Sequence, residues 1–165
     1  RDIAEKSGLS LADLRQDFDD KYEILACLGR LIDTRVLQSV SDSTRDENNN
    51  ITERDRLFEI LMDRFDKLND YRDGIIAILE SFKYDPKQAL MSLPHLFKSM
   101  AWMLEAAHIE TTGIKGAAKI AGLTGVYLKI LMVWKDDTSP DLSKTMSSLD
   151  KALERIEKTA LTLGF

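Results

Sequence analysis

The stretch IAGLTGVYLKILMVW, Ile120 to Trp134, is the most apolar part of the chain. Ile120, Leu123, Tyr127, Ile130 and Trp134 advance by three and four residues and form one helical stripe, while Val126, Leu128, Leu131 and Met132 make further faces apolar. Such a helix has to be covered nearly all round, which predicts a central helix, over about Ile114 to Asp136, with other helices packed around it. A bilayer would also cover it, but the run is shorter than the ~20 residues a span needs and carries Lys129. No transmembrane segment is therefore expected. Gly122 and Gly125 each weaken a helix by about 1 kcal/mol relative to Ala. Their presence predicts that another backbone comes close there, within one subunit or across a subunit interface.

The neighbouring helices follow outward from this one. After Ser139-Pro140, the residues Leu142, Met146, Leu149, Leu153, Ile156, Ala160 and Leu163 alternate spacings of four and three, a seam that should lie along another helix. Together the two segments predict a homodimer closed by a four-helix bundle, with Gly122, Gly125, Leu149, Leu153 and Ile156 at the interface. Upstream, Asp85-Pro86 is a good helix opening, and the helix that follows carries the stripe Leu90, Leu93, Phe97, Met100 and Leu104. Pro94 inside it should kink or split it. Leu57, Phe58, Leu61, Phe65 and Leu68 mark an earlier helix, and Ile75, Ile76, Ile78 and Leu79 a short one.

Near the start, Asp2 to Ser7 reads as a short helix ended by Gly8, and Ser10 with Asp13 as the capping pair of a second. Asp20 with Glu23 opens a longer helix to about Val40, with Ile24, Leu25, Leu28, Leu31, Ile32 and Val36 inward. The polar segment SDSTRDENNN, Ser41 to Asn50, reads as the loop dividing residues 1–45 from residues 51–165. No stretch has a convincing period of two, so the fold class is all-α, with about eight helices.

With 165 residues, 44% of them hydrophobic and 31% charged, the chain can bury one sizeable core. A net charge of −5 argues against indiscriminate nucleic-acid binding. Cys27 is alone, so there is no internal disulfide, and a reducing, cytoplasmic setting is expected. The chain begins at Arg1 rather than Met, and further residues upstream are expected. No spacing of Cys and His suggests a metal, and no glycine-rich phosphate loop suggests a cofactor. His95 and His108 sit in different settings, and Asp136-Asp137 reads as a helix end, so neither catalytic residues nor an enzyme are expected. Met62, Phe65, Phe97, Met100, Met103 and Tyr127 are adaptable side chains that form either core or an apolar pocket beside the proline.

The opening residues carry the most specific pattern. Ile3-Ala4-Glu5-Lys6-Ser7-Gly8-Leu9-Ser10, then Leu14, Phe18 and Lys21, has the spacing of a helix-turn-helix: Gly8 permits the sharp turn and Ala4 leaves room for close helix contact. The second helix would present Leu11, Ala12, Arg15 and Gln16 to a major groove, with Ser10, Lys21 and Tyr22 on the DNA backbone. Here the sequence resembles the TetR family of one-component regulators, with matches at Ile3, Ala4, Gly8, Ser10, Leu14, Phe18 and Lys21. It departs at Arg15, where that family has tyrosine, and at Asp17, where it has histidine. Between Arg1 and Leu25, Arg1, Lys6, Arg15 and Lys21 stand against Asp2, Glu5, Asp13, Asp17, Asp19, Asp20 and Glu23. That acidic surface opposes phosphate binding.

A second resemblance covers about Leu90 to Lys158. It is carried by Ser99-Met100-Ala101-Trp102-Met103, by Val126-Tyr127, and by Asp137-Thr138-Ser139-Pro140-Asp141-Leu142 with Thr145-Met146 and Leu149. Here the chain is similar to the lipid-binding protein of coenzyme Q biosynthesis, the Coq-nine type. That resemblance implies a TetR fold that binds isoprenoid or other lipids and assists ring-modifying enzymes instead of reading DNA. The expected function is a TetR-like regulator that binds operator DNA and an apolar small molecule or lipid, with a lipid-binding accessory protein of ubiquinone biosynthesis as the alternative.

Overall fold

The structure is a computed structural model that describes residues 8, 10–18, 21–43 and 51–163. Seven helices run through the described residues: α1 (Leu11–Asp17), α2 (Lys21–Ser43), α3 (Glu53–Asn69), α4 (Arg72–Ser81), α5 (Pro86–Ala106), α6 (Gly113–Lys135) and α7 (Ser143–Leu163). The all-α expectation holds, with no strand among the described residues. The short helix expected over Asp2 to Ser7, the capping role of Asp20 and residues 44–50 of the expected loop lie outside the described residues, while residues 41–43, expected in that loop, continue α2 as helix. Gly8 has φ +69°, the left-handed turn expected of it.

α6 is the central helix the sequence announces. Leu123, Tyr127, Ile130 and Trp134 are buried and Ile120 is partly so, as the spacing of three and four requires. Leu57, Leu61, Phe65 and Leu68 of α3 are buried in the same core, and Phe65 stacks on Tyr127 of α6 with ring centroids 5.3 Å apart. α2 packs on α3 and α5, while α7 packs on α6 and α3. By length and composition α6 is apolar enough to cross a bilayer, yet its buried stripe belongs to the same hydrophobic cluster as α2, α3, α5 and α7.

Cover is incomplete on one side of α6. Ile114, Leu128 and Met132 are exposed, and so are Ala118, Ala121 and Gly125 between them. These six positions, 114, 118, 121, 125, 128 and 132, alternate steps of four and three. The outer face of α6 is thus an apolar seam of small and large residues that stays exposed among the described residues. Gly122 and Gly125 face open space, with no described residue outside their own stretch of α6 within 4 Å of where a Cβ would stand. The close approach is at Gly116 instead, where an added Cβ would sit 2.0 Å from the Thr111 carbonyl carbon and oxygen.

On α2, Leu31, expected inward, is exposed, and the apolar stripes of two further helices also turn differently from their spacing. On α5, Leu90 and Phe97 point outward; Ser99, Met100, Met103 and Leu104 make the buried face. The helix is apolar on both sides, so spacing alone does not choose between them. α5 also continues through Pro94 unsplit. Pro94 lies on the exposed face, where water can satisfy the carbonyl that the missing N–H leaves free. On α7, Met146 is exposed and Thr145 is buried in its place, because Thr145 is held by Asp137.

Candidate functional site

Three places in the molecule concentrate polar or ligand-accepting chemistry. The first is a buried polar network joining four helices. Arg64 of α3 donates from one terminal nitrogen to Asp33 Oδ1 of α2, and from Nε to the Tyr127 hydroxyl of α6 at 3.1 Å. Ser99 Oγ of α5 donates to the same Asp33 oxygen at 2.7 Å. The guanidinium also lies over the Tyr127 ring, 5.2 Å from its centroid. All four residues are buried. Burial works against the charge on Arg64, but the Tyr127 oxygen and the Asp33 carboxylate outweigh it and raise the guanidinium pKa.

The second place is the junction of α6 and α7. Asp137 is 1% exposed; its Oδ1 accepts from the Ser139 backbone N–H at 3.0 Å and from the Ser139 hydroxyl. Its Oδ2 accepts from the Thr145 N–H and hydroxyl, both at 2.8 Å. Burial pushes this carboxyl up, yet the four donors prevail and hold it well below the usual carboxylate range. Arg72 closes the other side, donating to the carbonyls of Trp134 at 2.7 Å and Asp137 at 2.6 Å while lying 4.6 Å from the Trp134 ring centroid. With every Asp137 lone pair direction occupied by structural donors, the residue serves as a clamp, as the helix-end reading requires.

The third place is a cleft of about 570 Å³ between the first turns of α3, the end of α5, the first half of α6 and the second half of α7. Leu57, Leu104, Ile109, Ala118, Leu123, Leu153 and Ile156 supply apolar lining, and Glu53, Arg54, Lys119, Arg155 and Glu157 supply charge. Its size and apolar character suit a small apolar or amphipathic molecule. A second hollow, lined by Leu28, Asn69, Tyr71, Arg72 and Gly74 among others, is shallower and more polar.

The residues expected to line a pocket lie elsewhere. Phe65, Met100, Met103 and Tyr127 belong to the packed core, Met62 packs against that core, and Phe97 is on the surface. None of the six borders either hollow. Of the five residues expected at a subunit interface, Gly122, Leu153 and Ile156 line the cleft, and Gly125 is exposed. Leu149 and Leu153 are buried within their own subunit, where the α7 seam meets α3 and α6. The free seam is the one on α6. Arg54, Lys119 and Arg155 were not legible as a group, since they come from three helices and meet only through tertiary packing. Asp33 and Arg64 did leave a signal: each stands among core-facing apolar positions, between Ile32 and Val36 and between Leu61 and Phe65.

Near the start of the chain, Ser10 caps α1. Its hydroxyl accepts from the Asp13 N–H at 3.1 Å, and the Asp13 carboxylate accepts from the Ser10 N–H at 3.2 Å, so the expected capping pair is formed. Leu11, Ala12, Arg15 and Gln16 are all exposed, as are Asp13 and Asp17. Leu11 and Arg15 stand one turn apart on one line of the helix, Asp13 and Asp17 on another. Lys21 and Tyr22 open α2; their side chains lie outside the described residues. His95 is exposed, and His108 takes φ 66° in the turn that ends α5. Among the described residues no three His, Cys, Asp or Glu side chains come together to hold a metal.

With this geometry in view, residues 89–160 match the COQ9 family model, which is less than half of the chain. The structure is similar to the crystal structure of the TetR transcriptional regulator from Nitrosomonas europaea ATCC 19718, with a TM-score of 0.69 and 20% identity over 93% of this chain and 83% of that one. At that identity the likeness is one of fold, and the fold is TetR-like and all-α. No curated protein matches the chain in sequence.

Proposed function

We propose that this chain binds an apolar, lipid-like small molecule in the cleft between α3, α5, α6 and α7. The observation that carries the reading is the cleft itself: an open hollow of about 570 Å³ with Leu57, Leu104, Leu123, Leu153 and Ile156 on its walls. Native mass spectrometry of the protein purified from cells tests it. Co-purified lipid is expected; if none is found and added prenols leave the melting temperature unchanged, the reading fails.

The first output we assign to this binding is transcriptional regulation through the helix-turn-helix. Support comes from the capped α1 with Leu11, Arg15 and Gln16 exposed. A second output, assistance to a lipid-modifying enzyme without DNA binding, is favoured by the COQ9 match over residues 89–160 and by the exposed carboxylates Asp13 and Asp17. A salt-titrated assay on the promoter beside its own gene separates them. In the regulator reading, Lys21→Ala weakens binding to every sequence and lowers the salt slope by about one, whereas Arg15→Ala also relaxes sequence preference. Affinity no better than for random duplex at low salt leaves the accessory protein.

Both outputs are compatible with a two-fold homodimer, which we infer from the uncovered seam of α6. Ile114, Ala118, Ala121, Gly125, Leu128 and Met132 repeat at the spacing of a coiled-coil edge, and small residues at its middle allow two such helices to approach closely.

A further inference from the structure

We propose that the cleft takes a single-chain amphiphile with an anionic head, its chain along Leu57, Leu123, Leu153 and Ile156 and its head between Lys119 and Arg155. The inference rests on the apolar-ligand reading above and adds the chemistry of the head group. It comes from the way charge is distributed around the rim. Among the lining cations Arg54 already has carboxylate partners: it donates to Asp55 at 2.9 Å and to Asp150, and its Nε lies 3.9 Å from Glu157. Glu53 occupies the first turn of α3, where the helix N-terminus favours a negative charge.

The other two lining cations are different. Lys119 of α6 and Arg155 of α7 line the same cleft, and neither has a carboxylate within ion-pair distance among the described residues. The polar contact of Lys119 is a long one, 3.4 Å from Nζ to the Glu110 carbonyl oxygen. Two cations without an ion pair among the described residues thus border the same apolar hollow, one from each of two helices that pack together. A carboxylate or phosphate head would meet an ammonium and a planar guanidinium there, the second able to bind it bidentately. Apolar walls strengthen such pairs relative to open water. A neutral prenol or glyceride would fill the same hollow without using either cation.

Calorimetry with the full chain tests this, using oleate, its neutral glycerol ester monoolein, and acetate, each below its aggregation limit. Oleate is expected to bind at least tenfold more tightly than monoolein, and acetate not measurably, because the chain supplies most of the affinity and the head the selectivity. In Lys119→Gln/Arg155→Gln the oleate-to-monoolein ratio should fall to about one. Gly122→Leu adds a side chain into open space in the cleft, so circular dichroism should stay unchanged while oleate is lost. If monoolein binds wild type as tightly as oleate, or acetate binds as well as oleate, the head-group assignment is overturned while the apolar cleft survives or is judged separately. If neither oleate nor monoolein binds, the apolar-ligand reading falls with it. If Gly122→Leu dissociates a dimer and leaves oleate binding intact, the cleft is a subunit contact and the proposal is overturned.

Discussion

Asp33 of α2 and Arg64 of α3 form an ion pair in the interior of the bundle, each about 5% exposed at its side chain, and the pair is completed by Ser99 of α5 and Tyr127 of α6. Attraction between such charges is offset by what it costs to take them out of water, so the pair is a poor source of net stability. It is a demanding one to break. Removing one partner leaves the other charged, dry and unpaired. The network also ties α2 to α3, α5 and α6 at one point.

Arg64→Met should therefore cost about 3–5 kcal/mol, since Asp33 is left without its counter-charge. The double variant Asp33→Leu/Arg64→Met should recover most of that loss, because both polar groups leave together. Urea unfolding of the two single variants and the double variant measures the coupling. Additive losses would mean that the two residues do not act as a pair.

Asp137→Ala should cost about 2–3 kcal/mol, because the four Ser139 and Thr145 donors lose their buried acceptor and α7 loses the group that holds its first turn. The sign with pH follows from the direction of its shift. Its carboxyl is held down in the folded state, so its contribution is fully present above the unfolded value, about 3.9, and is lost as pH falls through the folded value below that. Between pH 7 and pH 5 the gap in stability between wild type and Asp137→Ala should be constant, and it should narrow in stronger acid. A gap already shrinking at pH 6 would assign the effect to another group.

Gly116→Ala should destabilise by about 1–3 kcal/mol, because the Thr111 backbone, not a flexible side chain, stands where the methyl would go. Gly125→Ala, with open space around it, should leave the isolated subunit unchanged or slightly more stable, by up to about 1 kcal/mol. Thermal melts of both variants check the contrast; equal losses would contradict the close approach at Gly116.

Gly125→Arg should weaken self-association without unfolding the subunit, since it places a charge in the middle of the α6 seam. Sedimentation at micromolar concentration should find wild type dimeric and the variant largely monomeric. A monomeric wild type would remove the dimer altogether.

What the sequence determined by itself is periodic and local. The stripe from Ile120 to Trp134, the Ser10–Asp13 cap, the left-handed Gly8 and the Asp137 turn all depend on residues within a few positions of one another, and spacing displays them directly. Tertiary packing decided which of two apolar faces goes inward on α5, since Leu90 and Phe97 are as apolar as Met100 and Leu104 and differ only in what lies opposite. It also turned the seam of α7 into its own subunit and left that of α6 uncovered. The candidate pocket moved for the same reason: the methionines and aromatics near Phe65 are close-packed because four helices converge there. The open cleft lies where Leu57, Leu123 and Leu153, far apart in sequence, are brought together with Lys119 and Arg155 at the rim.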